Sequence, residues 1–282
     1  MKGGAILKEI FIVGHFSIYF FGITIALGIL TGLWIMMREG KRKGLDNNKL
    51  LDLGTYSIMA SLIGARLYYV IAFNFDYYLK NPKAVFFVRE GGLSIQGGLI
   101  GGILFALWYT KKNNISFWRA ADAFAPGIII GQAIGRIGCD VFGIPMKSIY
   151  PWGIKINGQI LHPAQLYELF LDLILFTYLW RKRDKITYNG QLFIEYIIGF
   201  SLIRGIVEFF RSNPIVVEPF TIAHITSLII IIVAIFISRI IKNKEQIDEK
   251  YVSNNTVTVS NGEYLFTLII GIVGAGIYYY IH

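Results

Sequence analysis

The chain holds one cysteine in 282 residues. That excludes an internal disulfide and any cysteine-rich metal cluster. Charge is also scarce, at 16%, where a soluble domain carries about 25%. Hydrophobic residues reach 55% and sit in long blocks. A soluble globular enzyme, a disordered tail and a small disulfide scaffold are thereby excluded. His15, His162, His224 and His282 lack metal-ligand spacing, so neither a metal nor another cofactor is expected. The formal charge of +9 reads as loop lysines and arginines on a membrane protein, not as a nucleic-acid surface.

A bilayer core takes about 20 mostly apolar residues per helix. Eight stretches meet that length: 16–37, 52–73, 92–110, 120–139, 163–180, 190–210, 220–241 and 264–281. The reading is an all-α polytopic helix bundle, with a core over 1–241, a polar linker over 242–263 and an additional C-terminal helix over 264–282. The first span lacks a small-residue cleavage site and is expected to be retained. Lysine and arginine crowd the loops 38–51, 111–119 and 181–189 and the stretch 239–250, at twice the number found on the other side. That bias places the N-terminus outside.

Charge at membrane depth costs several kcal/mol, so each intramembrane charge is a candidate for function. By span direction, Arg66 and Arg204 lie roughly 10 Å below the outer ends of their helices. Arg136 ends the fourth span. Gln96 opens the third, and Gln165, Tyr167 and Glu168 open the fifth. Polar groups from five spans thus converge in the outer half of the bilayer. Arg204, Glu208 and Arg211 stand at i, i+4 and i+7, on one helix face. The glutamate can hold one arginine while the set stays net positive. Guanidinium forks bind phosphate oxygens bidentately, and in the outer leaflet the available phosphate is a phospholipid headgroup. The competing reading is that each arginine snorkels to the interface or pairs structurally with a carboxylate.

Two glycine tracts flank these residues. In 126–138, Gly127, Gly131 and Gly135 recur every fourth residue, a spacing that lets helix backbones approach closely. In 91–102, Gly97 and Gly98 follow Gln96 and are expected to leave room for a lipid chain or headgroup. Asp122, Glu195 and Asp172 read as packing or inner-interface groups. His162 reads as a cap of the fifth span, and Cys139 as a small buried hydrophobe.

The segments GARLYYV (64–70), GGLSIQGGLIGG (91–102), GQAIGRIG (131–138), HPAQLYE (162–168) and RGIVEFFR (204–211) follow one another in an order and spacing that resembles the bacterial prolipoprotein diacylglyceryl transferase family, over roughly residues 16–241. The resemblance implies a seven-helix core and transfer of a diacylglyceryl group from phosphatidylglycerol to the lipobox cysteine thiol of a prolipoprotein signal peptide. Glycerol phosphate would leave, at the outer face of the cytoplasmic membrane. It also implies catalytic roles for Arg136, Arg204, Glu208 and Gln96, and substrate binding by Arg66, Arg211, Gly97, Gly98, Gln132, Gln165, Tyr167 and Glu168.

Several positions depart from the family pattern. Gln96 stands where its glycine-rich motif normally carries histidine. Cys139-Asp140-Val141-Phe142-Gly143-Ile144 replaces a stretch with two asparagines and a glutamate. Phe200 and Phe21 stand where tyrosines are usual. Two alternatives follow: an impaired relative that holds an anionic phospholipid or lipoprotein precursor, or a lipid flippase. The flippase lacks an inverted repeat in its favour.

Overall fold

A computed structural model describes residues 9–13, 16–87, 91–245 and 261–281. Of the sequence readings, most of the 242–263 linker, together with His15 and His282, falls outside the described residues. The protein is an all-α polytopic membrane protein. Its helices are α1 (Phe20–Arg42), α2 (Asn47–Phe73), a short α3 (Phe75–Lys80), α4 (Ile95–Lys112), α5 (Phe117–Ile137), α6 (Ala164–Lys182), α7 (Gln191–Glu208), α8 (Ile222–Lys242) and α9 (Asn261–Ile281). Each expected span coincides with one long helix, to within a few residues at either end. The exception is the start of the first: Phe16–Tyr19 is a strand paired antiparallel with Glu9–Val13. Length and apolar content suffice for membrane crossing in α1, α2, α8 and the Tyr264–Ile281 part of α9. Composition alone thus accounts for four of the eight expected spans. The other long helices, α4 to α7, carry the glycines and charges discussed below.

The chain forms two compact units. One takes in the chain up to Glu39 and from Ala121 onward, and the other is Gly40–Ala120. In the first unit, α1 and α5 meet glycine to glycine. A methyl added at Gly28 or Gly32 would overlap the carbonyls of Gly131 or Gly127. Lipid tails are as apolar as leucine, so close backbone approach, not burial from water, holds such pairs together. Ile129, Ile130 and Ala133 of α5, Leu169, Phe176 and Leu179 of α6, and Leu192 and Val207 of α7 form one buried cluster. Asp122 reaches from α5 to the start of α7, accepting from Gly190 N (2.9 Å) and Phe193 N (3.0 Å). A carboxylate there satisfies amides that the first turn leaves unpaired. Arg183, just past α6, pairs with Glu39 at 3.2 Å, both buried.

In the second unit, α2 and α4 run antiparallel through Gly64, Gly97 and Gly101, where any Cβ would strike the opposite backbone. Asp46 caps α2, accepting from Asn48 N and Lys49 N. The connection between them contains α3 and a 3₁₀ turn over Pro82–Phe86, neither of which periodicity announces.

Candidate active site

The first unit gathers three arginines around two glutamates. Arg136 lies in the last turn of α5, and Glu168 in the second turn of α6. Arg136 Nη2 stands 2.5 Å from Glu168 Oε1. Arg204 and Glu208 close α7, one turn apart, with Arg204 Nη2 3.0 Å from Glu208 Oε2. Arg211 follows the helix end, its Nε 3.9 Å from the same oxygen. Both glutamate side chains are fully buried, whereas Arg136 and Arg204 are 25% and 27% exposed. Each carboxylate therefore takes one guanidinium nitrogen while the arginine side chain stays partly exposed.

Glu208 is itself held. Its Oε1 accepts from Asn213 Nδ2 (2.7 Å) and Thr221 Oγ1 (2.8 Å). Thr221 is also the N-cap of α8, in a capping box with His224. The turn after α7 and the start of α8 thus fix the carboxylate that fixes two arginines. Arg211 feels the charges of Arg204, Arg136, Glu168 and Glu208. Burial, followed by the repulsion of Arg204, pulls its guanidinium below the ordinary value. The cluster carries three positive and two negative charges, one positive in excess, which matches the single charge of a phosphodiester.

Backbone pairing ties the loop after α5 into this cluster. Gly143 N donates to His162 O and Ile144 N to Phe210 O, both at 2.9 Å. A methyl at Gly143 would overlap Phe210 O and His162 O, so only glycine admits the three-way contact. Farther along, Ile154–Ile156 and Gln159–Leu161 form a short hairpin leading into α6. Burial pushes the Asp140 carboxyl above its ordinary value.

The remaining expected site residues are placed as follows. Gln165 is fully buried. It donates to Cys139 O (3.0 Å) and accepts from Tyr278 Oη of α9 (3.0 Å). Cys139 is buried beside it. Tyr167 Oη accepts from Trp152 Nε1 and lies 3.1 Å from His162 Nδ1. Tyr167 meets His162 and Phe210 edge to face, and His162 and Phe210 pack at a tilt. His162 therefore contacts an aromatic cluster, and burial lowers its pKa from the ordinary 6.5. Gln132, one turn deeper than Arg136, accepts from Tyr196 Oη (3.1 Å).

Gln96, Gly97, Gly98 and Arg66 belong to the second unit. Gln96 is exposed at the start of α4 and accepts from Ser94 Oγ (2.6 Å). Gly97 packs against Gly64 and Tyr68, and Gly98 against Ser61 and Ala65. The space beside both glycines is therefore taken by α2, in place of the expected lipid room. Arg66 is buried. Its Nε donates to Val85 O, Nη1 to Gly91 O and Gly92 O, and Nη2 to Ala84 O and Phe87 O. A guanidinium has five N–H donors, and all five are engaged.

Sequence reasoning missed Thr221 and Asn213, although a threonine just before an apolar run is a recognisable cap signal. It also passed over the isolation of Asp172. That side chain is fully buried one turn beyond Glu168, and among the described residues neither of its oxygens has a hydrogen-bond partner.

The fold is that of a polytopic helical membrane protein, and its site pairs partly exposed arginines with buried glutamates. The chain belongs to the prolipoprotein diacylglyceryl transferase family, whose model matches residues 8–240. It is similar to the phosphatidylglycerol–prolipoprotein diacylglyceryl transferases of Bacillus mycoides, Bacillus cereus and Bacillus anthracis. Each is 33% identical over 255 residues, covering 86% of this chain and 94% of the relative. The family match ends before α9 begins.

Proposed function

We propose that this protein transfers the diacylglyceryl group of phosphatidylglycerol to the lipobox cysteine thiol of a prolipoprotein, at the outer face of a bacterial cytoplasmic membrane, with its N-terminus outside. The substrate sulfur attacks the glycerol carbon that bears the phosphodiester oxygen. A C–S bond forms, the C–O bond breaks, and glycerol phosphate departs; the thiol proton is released on the way to the thioether. Negative charge concentrates on the leaving phosphate. Donors already aimed at developing charge, in a site that excludes water, lower the barrier more than donors that must reorganise.

In this reading Arg136 and Arg204 clamp the phosphate and Arg211 adds a third positive charge. Glu168 and Glu208 are positioning residues, the first for Arg136 and the second for Arg204 and Arg211. Gln132, Gln165 and Tyr167 brace the helices and loop around the clamp. Arg66 stays outside the phosphate-binding set, because its donors are spent on one loop. Gln96 carries no assigned step, since an amide does not act as a general base. The nucleophilic sulfur comes from the substrate, so Cys139 is free to be a packing residue.

The observation that carries the reading is the pair of fully buried glutamates holding partly exposed arginines. Family membership narrows the anion to a phospholipid. The test is incubation of the purified full-length protein with phosphatidylglycerol and a lipobox peptide, read by mass spectrometry. The expected result is a diacylglyceryl thioether and free glycerol phosphate. Absence of both, under conditions where a Bacillus relative forms them, overturns the proposal.

A further inference from the structure

A second feature of the first unit lies at the opposite end of α6. The faces of α6 and α9 leave a groove of about 730 Å³ between them, within the roughly 300–1,000 Å³ typical of ligand sites. Phe170 and Ile174 of α6 and Leu268 and Ile272 of α9 form its walls. Ile174, Leu268 and Ile272 are strongly exposed. Its charged end is formed by Arg181, Lys182 and Lys185.

Lys182 is already neutralised. Its Nζ stands 2.7 Å from Glu195 and donates to Tyr178 Oη. Arg181 lies over the Tyr264 ring, 5.9 Å from its centroid. Among the described residues, neither Arg181 nor Lys185 has a carboxylate partner. The groove thus joins an apolar trough to two uncompensated cations. From Phe170 to Arg181 the helix rises about 16 Å, close to half of the roughly 30 Å hydrocarbon core. The shape is that of a single-leaflet amphiphile with an anionic head.

We infer that this groove is a binding site for an anionic phospholipid, with its chains along Ile174, Leu268 and Ile272 and its phosphate at Arg181 and Lys185. Basic pockets between membrane helices take such headgroups. The site is separate from the proposed transfer centre: Glu168 and Arg181 are thirteen positions apart on α6, or about 20 Å, in opposite leaflets of the bilayer. One wall of the groove, Thr267, Leu268, Gly271 and Ile272, comes from α9, which lies beyond the family match, so the site belongs to this chain and not to the seven-helix core.

The test places a fluorophore in the groove. In a Cys139→Ala background, Ile272→Cys is labelled, and the full-length protein is reconstituted in phosphatidylcholine vesicles. Nitroxide-chain phosphatidic acid or nitroxide-chain phosphatidylcholine is then titrated in. Phosphatidic acid is expected to reach half-maximal quenching at about fivefold lower mole fraction, the effect of one well-placed cation. In Arg181→Gln/Lys185→Gln the two lipids are expected to quench alike. Equal quenching before the substitutions, or a preference that survives them, overturns the inference. So does an equal preference at a label on Ile235→Cys of α8, which would mark general charge attraction. Arg136 and Arg204 are intact throughout, so the outcome is independent of transfer activity.

Discussion

Arg66 and Arg204 are the same residue at the same expected depth, put to opposite use. Arg66 gives all five of its donors to carbonyls between Ala84 and Gly92. Arg204 gives one nitrogen to Glu208 and stays 27% exposed. The first closes a loop and has nothing left for a ligand. The second is held at one end and open at the other. An intramembrane arginine is therefore a ligand-binding residue only when its partner is a compact carboxylate that leaves donors over; depth and charge do not decide the matter.

The sharpest way to break this contrast is to remove the fork and keep the charge. Arg204→Lys or Arg136→Lys loses the planar bidentate geometry. Transfer activity is expected to fall about 10²–10³-fold, the cost of deleting one preorganised donor, while the thermal midpoint in detergent moves little. Loss of folding in both variants, with no folded fraction to assay, would make these arginines structural like Arg66. The reciprocal variant, Arg66→Lys, keeps the charge and loses carbonyl bonds, each worth about 1.5–3 kcal/mol to a charged donor. Its midpoint is expected to fall clearly while kcat/KM per folded molecule stays within about twofold. A pure loss of kcat/KM at unchanged stability would move Arg66 into the phosphate-binding set.

The smallest effect concerns His162. Burial holds its pKa below the ordinary 6.5. As pH falls through that value the unfolded chain takes up the proton before the folded one, so stability declines with acidification. From about pH 8 to about pH 5, the wild-type midpoint is expected to fall more steeply than that of His162→Gln. Parallel curves would mean that the His162–Tyr167–Phe210 contact is too open to discriminate between charged and neutral imidazole.

The long helices were legible in the sequence because apolar runs are a strong, local signal. The 204–211 cluster was legible because i, i+4 and i+7 share a face. The hairpins at 9–19 and 154–161 were not: both are short pairings, and Phe16–Tyr19 was absorbed into the apolar run read as the first span. Arg136 and Glu168 were both identified but not as partners: they are 32 positions apart, and only the packing of α5 on α6 joins them. Arg66 is the converse case. Its contacts reach 18 to 26 residues ahead, to backbone carbonyls that no residue type advertises. Gly97 and Gly98 read as open space in the sequence, whereas the lack of a side chain at Gly97 is what admits α2, and Gly98 lies in ordinary contact with it.

The hydrogen bond from Tyr278 to Gln165 has a bearing on biogenesis. Gln165 also grips the carbonyl of Cys139, three residues past Arg136. Tyr278 follows every clamp residue along the chain, so that brace closes only after all of them have been synthesised. A nascent chain released early would hold every clamp residue and still lack the tyrosine that steadies the ground beneath them.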